Sequence, residues 1–130
     1  MQDYHQLEIW QRGMAYVVEV YRFSAQLPDG ERYNLTAQMR RAATSIPLNI
    51  AEGAGCVTNA EFARFLGYAY RSLKEVVTCL ELCQRIYPVL PAESLEALVD
   101  EGNQISRMTR RLMQRLQPRV DDGEAGGGEW

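Results

Sequence analysis

The chain has 130 residues, 46 % of them hydrophobic, enough for one core of ordinary domain size. Its formal net charge of -3 and pI of about 5.2 exclude a protein coated in positive charge and leave room only for a local basic patch. No stretch approaches the roughly 18 consecutive apolar residues of a membrane span, MQDYHQLEIW is too polar for a secretory signal, and an odd number of cysteines does not make a disulfide framework, so the expected setting is cytoplasmic with no membrane partner.

From Leu7 onward, Leu7, Trp10, Met14, Val17 and Tyr21 recur at gaps of three and four, widened by Val18 and Ala25, which predicts a first helix over about 6–26. Trp10 and Tyr21 fall on this stripe and are expected in the core. Tyr16, Val20 and Phe23 lie off its centre and form a second apolar face, more than one isolated four-helix core uses, which points to homo-oligomerisation. PDGER then supplies turn chemistry.

Asn34 is placed to cap a second helix over about 34–54, whose stripe is Leu35, Met39, Ala42 or Ala43, Ile46 and Ile50. The stripe continues through Pro47, which removes a backbone donor and crowds the carbonyl of Ala43 at a cost of roughly 3 kcal/mol in an ordinary helix interior. A kink is therefore expected at Pro47, with Thr44 or Ser45 helping to satisfy freed backbone groups. Asn49 and Glu52 project from one side just beyond it, and with Arg40 and Arg41 upstream they are candidates for a contact across the bundle or between subunits. Gly53 and Gly55 fail the phosphate-loop pattern, since no strand precedes them and no Gly-Lys-Ser/Thr follows; a helix C-cap and a tight turn explain both.

Thr58 and Glu61 have capping-box spacing and open a third helix over about 58–87, with Phe62, Phe65, Leu66, Ala69, Leu73, Val76, Val77, Leu80 and Cys83 on its apolar face. Pro88 and Pro91 separate it from a fourth over about 91–117, patterned by Leu95, Leu98, Gly102, Ile105, Thr109, Leu112 and Leu116. Short connections between long amphipathic helices predict an all-α domain over about 1–119, an antiparallel up-down-up-down four-helix bundle. RVDDGEAGGGEW is too polar to pack, so 120–130 is expected to be an acidic, glycine-rich mobile tail ending in Trp130.

The segments LEIWQRGMAYVVEVY, ERYNLTAQMRRAATSIPLNIAEGAG, TNAEFARFLGYAYRSLKEV and LELCQRI together resemble the bacterial four-helix-bundle family named for open reading frames in intervening sequences of 23S ribosomal RNA genes. The resemblance runs from about Leu7 to Tyr87 and is most specific in RRA followed by SIPLNIAEG, where Pro47, Asn49, Ile50, Ala51, Glu52 and Gly53 match the family's signature. It implies a bundle that assembles as a ring, typically a homopentamer. It also implies kinship with the accessory proteins of diversity-generating retroelements, which assist a reverse transcriptase and bind nucleic acid through basic surfaces. No catalytic role comes with the signature residues.

The cations are unevenly placed. Arg107, Arg110, Arg111 and Arg115 follow one another with no acidic residue between them, on an arc largely opposite Ile105, Leu112 and Leu116. A solvated helix face is one reading; the other is a phosphate-binding surface that ring assembly repeats by symmetry. Arg64, Arg71 and Lys74 on the third helix form a second candidate surface, where Arg71 with Glu75 and Glu81 with Arg85 have ion-pair spacing. Tyr68 and Tyr70 beside them either pack or stack on bases. The single histidine, His5, with Cys79 and Cys83, falls short of a metal motif, and no Ser/His/carboxylate arrangement can be drawn. The expected function is a non-enzymatic accessory protein, without cofactor or metal, that binds structured RNA or an RNA–protein complex. The alternative is a protein-interaction scaffold, for example one that binds a reverse transcriptase.

Overall fold

The computed structural model describes residues 3–117. Among them are four α-helices and no strand: α1 (Glu8–Ser24), α2 (Leu35–Ala54), α3 (Asn59–Ile86) and α4 (Ala92–Leu116), with single 3-10 turns at Tyr4–Gln6 and Asp29–Glu31. Each helix falls within the span that its apolar spacing predicts. The tail expected over 120–130, with Trp130, lies outside the described residues.

Two helix starts show how local chemistry sets the boundaries. Thr58 accepts a hydrogen bond from the Glu61 amide (3.1 Å), one half of the expected capping box. Asn34 precedes α2 but its side chain does not cap it; Glu31 does, its Oε1 accepting from the Leu35 amide and from Asn34 Nδ2 at 3.3 Å each. The other oxygen of Glu31 accepts from the hydroxyl of Tyr87, tying the end of α3 to the start of α2, and this bond raises the Tyr87 pKa.

The core forms where the four apolar faces meet. On α2, Leu35, Met39, Ala42, Ala43, Ile46 and Ile50 are buried; on α3, Phe62 through Cys83 are buried at the predicted positions, with Phe65 half-buried; and on α4, Leu95, Leu98, Gly102, Ile105 and Thr109 are buried. α1 departs from expectation. Its buried face is Ile9, Gly13, Tyr16, Val20 and Phe23, whereas Trp10 is half-buried and Met14, Val18 and Tyr21 are 45, 48 and 40 % exposed. Gly13 lies on this face: a Cβ there would lie 3.4 Å from Ile46 Cγ2 and 3.9 Å from Ile50 Cδ1 and Pro47 Cβ, so α1 meets α2 through a residue that a count of apolar side chains passes over. The helix is turned by one residue, about 100°, from the face that the pattern suggests.

Cross-helix contacts run in opposite numerical order. Tyr16 donates to the Leu98 carbonyl (3.0 Å), and Arg12, one turn earlier, holds Glu101 through Nε to Oε2 (3.0 Å) and Nη2 to Oε1 (2.6 Å). A Cβ at Gly67 would face Met113 at 3.7 Å, and one at Gly102 would face Val77 at 2.8 Å.

α2 runs through Pro47 without a break. Thr44 Oγ1 donates to the Arg41 carbonyl (3.0 Å), Ser45 Oγ to that of Ala42 (2.9 Å) and Asn49 Nδ2 to that of Ser45 (2.8 Å). These donors flank Ala43, whose carbonyl loses its ordinary partner at Pro47. Ser45 also hydrogen bonds Ser72 of α3.

Gly55 occupies the C-cap of α2 as expected, but with φ of -85°, and no glycine among the described residues has positive φ. Glycine is needed at 53 for space instead: a Cβ there would lie 2.9 Å from both Phe62 Cδ1 and Phe65 Cβ.

Candidate functional site

Charge is segregated along α4. Glu93, Glu96, Asp100 and Glu101 occupy its first half, and Arg107, Arg110, Arg111 and Arg115 its second. On α3, Arg64 and Arg71 lie in the first half and Lys74 just past its midpoint. The register set by Gly67 against Met113 and Val77 against Gly102 brings these two halves side by side, placing Lys74 roughly level with Ser106 and Arg71 with Thr109. All seven predicted cations therefore share one half of the molecule, although they come from two helices whose cations are up to 51 positions apart (115 minus 64). Arg64, Arg71, Lys74, Arg107, Arg111 and Arg115 are exposed and Arg110 is half-buried.

The α3 cations are ordered by aromatic rings. The Arg64 guanidinium lies 5.2 Å from the Phe65 centroid and 5.9 Å from that of Tyr68, and Nη1 donates to the Tyr68 hydroxyl (3.1 Å), the main cause of its raised pKa. Arg71 lies 5.8 Å from the same Tyr68 centroid, and Lys74 Nζ 5.2 Å from that of Tyr70. Tyr70 is buried and Tyr68 half-buried. The expected Arg71–Glu75 and Glu81–Arg85 ion pairs do not form among the described residues, where Arg64 pairs instead with Glu61 (3.4 Å). An exposed pair of this kind contributes little, and Arg71 on Tyr68 is the alternative that its rotamer takes.

The residues of RRA and SIPLNIAEG divide by direction. Pro47 is buried, Asn49 is engaged with its own helix, and Arg40 reaches back to α1, donating to Ser24 Oγ (2.8 Å) and the Tyr21 carbonyl (3.2 Å) with its guanidinium 4.5 Å from the Tyr21 centroid. Arg41, Leu48 and Glu52 point outward, Leu48 being 67 % exposed; their spacing of seven and four puts them on one stripe. Met14, Val18 and Tyr21 of α1 continue this outer surface, because the Gly13 contact sets Met14 level with the turn carrying Pro47 and Leu48.

Other chemistry is thin. A groove of about 510 Å³ runs between α1 and α4, lined by Tyr16, Phe23, Leu98, Glu19, Arg22 and Glu101 among others, and its two carboxylates are held by Arg22 (2.8 Å) and Arg12. Among the described residues no group of three His, Cys, Asp or Glu is arranged to hold a metal. His5 pairs with Asp3 (2.8 Å) against the rings of Tyr4 and Trp10, and Cys79 and Cys83 are buried free thiols, Cys83 pushed up to about 11 by burial. No helix among the described residues is long and apolar enough to cross a membrane.

The model of the family described as 23S rRNA-intervening sequence protein matches residues 5–111. The chain belongs to this family. The match contains six of the seven candidate cations and all of SIPLNIAEG; Arg115 lies beyond it. No curated protein matches the chain. Among solved structures, a protein of unknown function from the S23 ribosomal protein family of Bacteroides thetaiotaomicron is 21 % identical with a TM-score of 0.72, over 82 % of this chain and 98 % of that one, a likeness of fold. The family's four-helix form is thus legible in the sequence, whereas the α1 face and the Arg12–Glu101 clasp depend on residues far apart in the chain.

Proposed function

We propose that this family member is a cytoplasmic, non-enzymatic accessory protein: an antiparallel up-down-up-down bundle, bent at Pro47, that assembles as a homopentameric ring and binds structured RNA or an RNA–protein complex. One observation carries the reading. The seven cations Arg64, Arg71, Lys74, Arg107, Arg110, Arg111 and Arg115 are concentrated in one half of a chain whose net charge is -3. A protein this acidic gains nothing for folding by collecting like charges, which repel at close range; a polyanion offsets that repulsion and releases counterions. Recognition would rest on phosphate electrostatics and shape, multiplied by ring symmetry. Arg41 and Glu52 would make the polar part of the subunit contact, with Leu48, Met14 and Val18 as its apolar part, while Arg40, Pro47 and Asn49 shape that surface from within.

The test is light scattering of the pure protein with and without a structured RNA, at low and near-physiological salt, beside a variant with Arg107, Arg110, Arg111 and Arg115 changed to Gln. A multimer near five chains that takes up RNA at low salt, and loses it in the variant, supports the proposal. A multimer indifferent to RNA throughout moves the reading to a scaffold. The outer strip Met14, Val18, Tyr21 and Leu48 favours that second reading, whose mark is a salt-tolerant complex with a protein partner such as a reverse transcriptase.

A further inference from the structure

Residues 64, 68 and 71 fall on one stripe of α3, at i, i+4 and i+7, so an outward-facing tyrosine stands between two arginines. Tyr68 differs from the tyrosines of the core. Tyr16 is 1 % exposed with its hydroxyl fixed to a backbone carbonyl, and Tyr70 is 7 % exposed, whereas the Tyr68 ring is half-buried and its hydroxyl is held by the exposed Arg64. Phe65 sets the ring edge-on at 5.5 Å and 86°, so the platform is ordered before anything binds. Arg71 lies 5.8 Å from the ring centroid on the following turn. An aromatic ring framed by guanidinium planes, in a half of the molecule that also holds Lys74, Arg107 and Arg111, combines the two features that single-stranded nucleic-acid binders use: a π-face for a base and cations for the phosphates on either side.

We propose that Tyr68, with Arg64 and Arg71, is a stacking site for one unpaired base of RNA. The base takes the position over the ring that the Arg71 guanidinium borders, and Arg64 and Arg71, the cations beside the ring, receive the neighbouring phosphates. The proposal rests on the RNA reading above and sharpens it. Duplex stems would be held by charge alone, whereas a loop or single strand gains a base contact that a uniform basic surface does not offer.

Fluorescence anisotropy with a labelled single-stranded RNA, and with the same backbone made abasic, separates the two. Tyr68→Leu should weaken the base-bearing strand about tenfold, within the range measured for base–aromatic stacking, and leave the abasic strand unchanged. Tyr68→Phe should match the parent on both. Arg71→Lys, which keeps the charge and loses the plane, should weaken only the base-bearing strand, by a smaller factor, and guards against a folding defect in Tyr68→Leu. If both strands bind with the usual salt dependence and Tyr68→Leu and Arg71→Lys bind them like the parent, the stacking site is wrong and the RNA reading stands. If the parent binds neither strand nor a structured RNA, both fall together.

Discussion

Gly53 and Gly67 make a paired test of how closely the helices meet. Both are helical glycines, and replacing a helix-interior glycine by alanine ordinarily gains about 1 kcal/mol of propensity. At Gly67 the added Cβ would meet only Met113 Cε, at 3.7 Å, the movable end of a flexible side chain, so Gly67→Ala should stabilise the protein by about 0.5–1 kcal/mol. At Gly53 it would meet Phe62 Cδ1 and Phe65 Cβ at 2.9 Å and the Phe62 carbonyl at 3.2 Å. The Phe62 ring can turn away, but a Cβ and a carbonyl move only with the backbone of α3. Overpacking of this kind costs about 1–3 kcal/mol, and Gly53 sits one residue from the end of α2, where the propensity gain is smallest. Gly53→Ala should therefore lose about 1–2 kcal/mol net. Thermal unfolding followed by circular dichroism, at one fixed protein concentration because the proposed assembly would shift the midpoint, should show Tm rising by about 2–4 °C for Gly67→Ala and falling by about 4–8 °C for Gly53→Ala. A Gly53→Ala protein at least as stable as the parent would refute the steric account of this signature position.

Three further outcomes follow from the same contacts. Burial raises the Cys83 thiol to about 11 from an ordinary value near 9.0, so the folded state holds this proton more tightly than the unfolded one; stability should be flat below about pH 8, fall as pH rises from there toward 11, and fall less in Cys83→Ala, as read from urea midpoints. Glu52→Ala should lower the assembled fraction in light scattering; unchanged assembly together with unchanged folding would eliminate the subunit-contact role. Deleting residues 120–130, which carry Asp121, Asp122, Glu124 and Glu129, should tighten RNA binding at low salt by removing a competitor for the same arginines, and equal affinity at low salt sinks that idea.

Periodicity resolves α2, α3 and α4 because each has one apolar face and the gaps of three and four can be counted in only one way. α1 has two. Leu7, Trp10, Met14, Val17 and Tyr21 keep an unbroken apolar rhythm, while the buried face reads Ile9, Gly13, Tyr16, Val20 and Phe23, interrupted by a glycine. The glycine faces α2, whose nearest side chain, Ile46, lies 33 positions later in the chain. The basic face of α4 is legible for a different reason: four arginines without an intervening acid is a local property of the sequence. What a local reading cannot supply is the neighbour, since Arg71 and Lys74 share that half of the molecule only through the α3–α4 register, and Arg71 lies against Tyr68 and not against Glu75.

The reversal on α1 bears on assembly. The sequence argument for self-association places the surplus apolar face at Tyr16, Val20 and Phe23, and those side chains are in the core of a single chain. The surplus itself survives the reversal, because turning the helix by one residue puts Met14, Val18 and Tyr21 outside in their place. A helix with two apolar faces leaves one of them uncovered whichever way it turns. The face left uncovered here is the one next to Leu48, Arg41 and Glu52, the outward members of the segment that most specifically marks the family, and Arg40 stacked on Tyr21 bridges the two helices across it. Pro47 and Gly53 are buried, Gly53 at the close passage of α3, and Asn49 holds the Ser45 carbonyl of its own helix. This segment thus divides into residues that pack within the bundle and residues that α2 presents outward, and the proposed subunit contact draws on the second set.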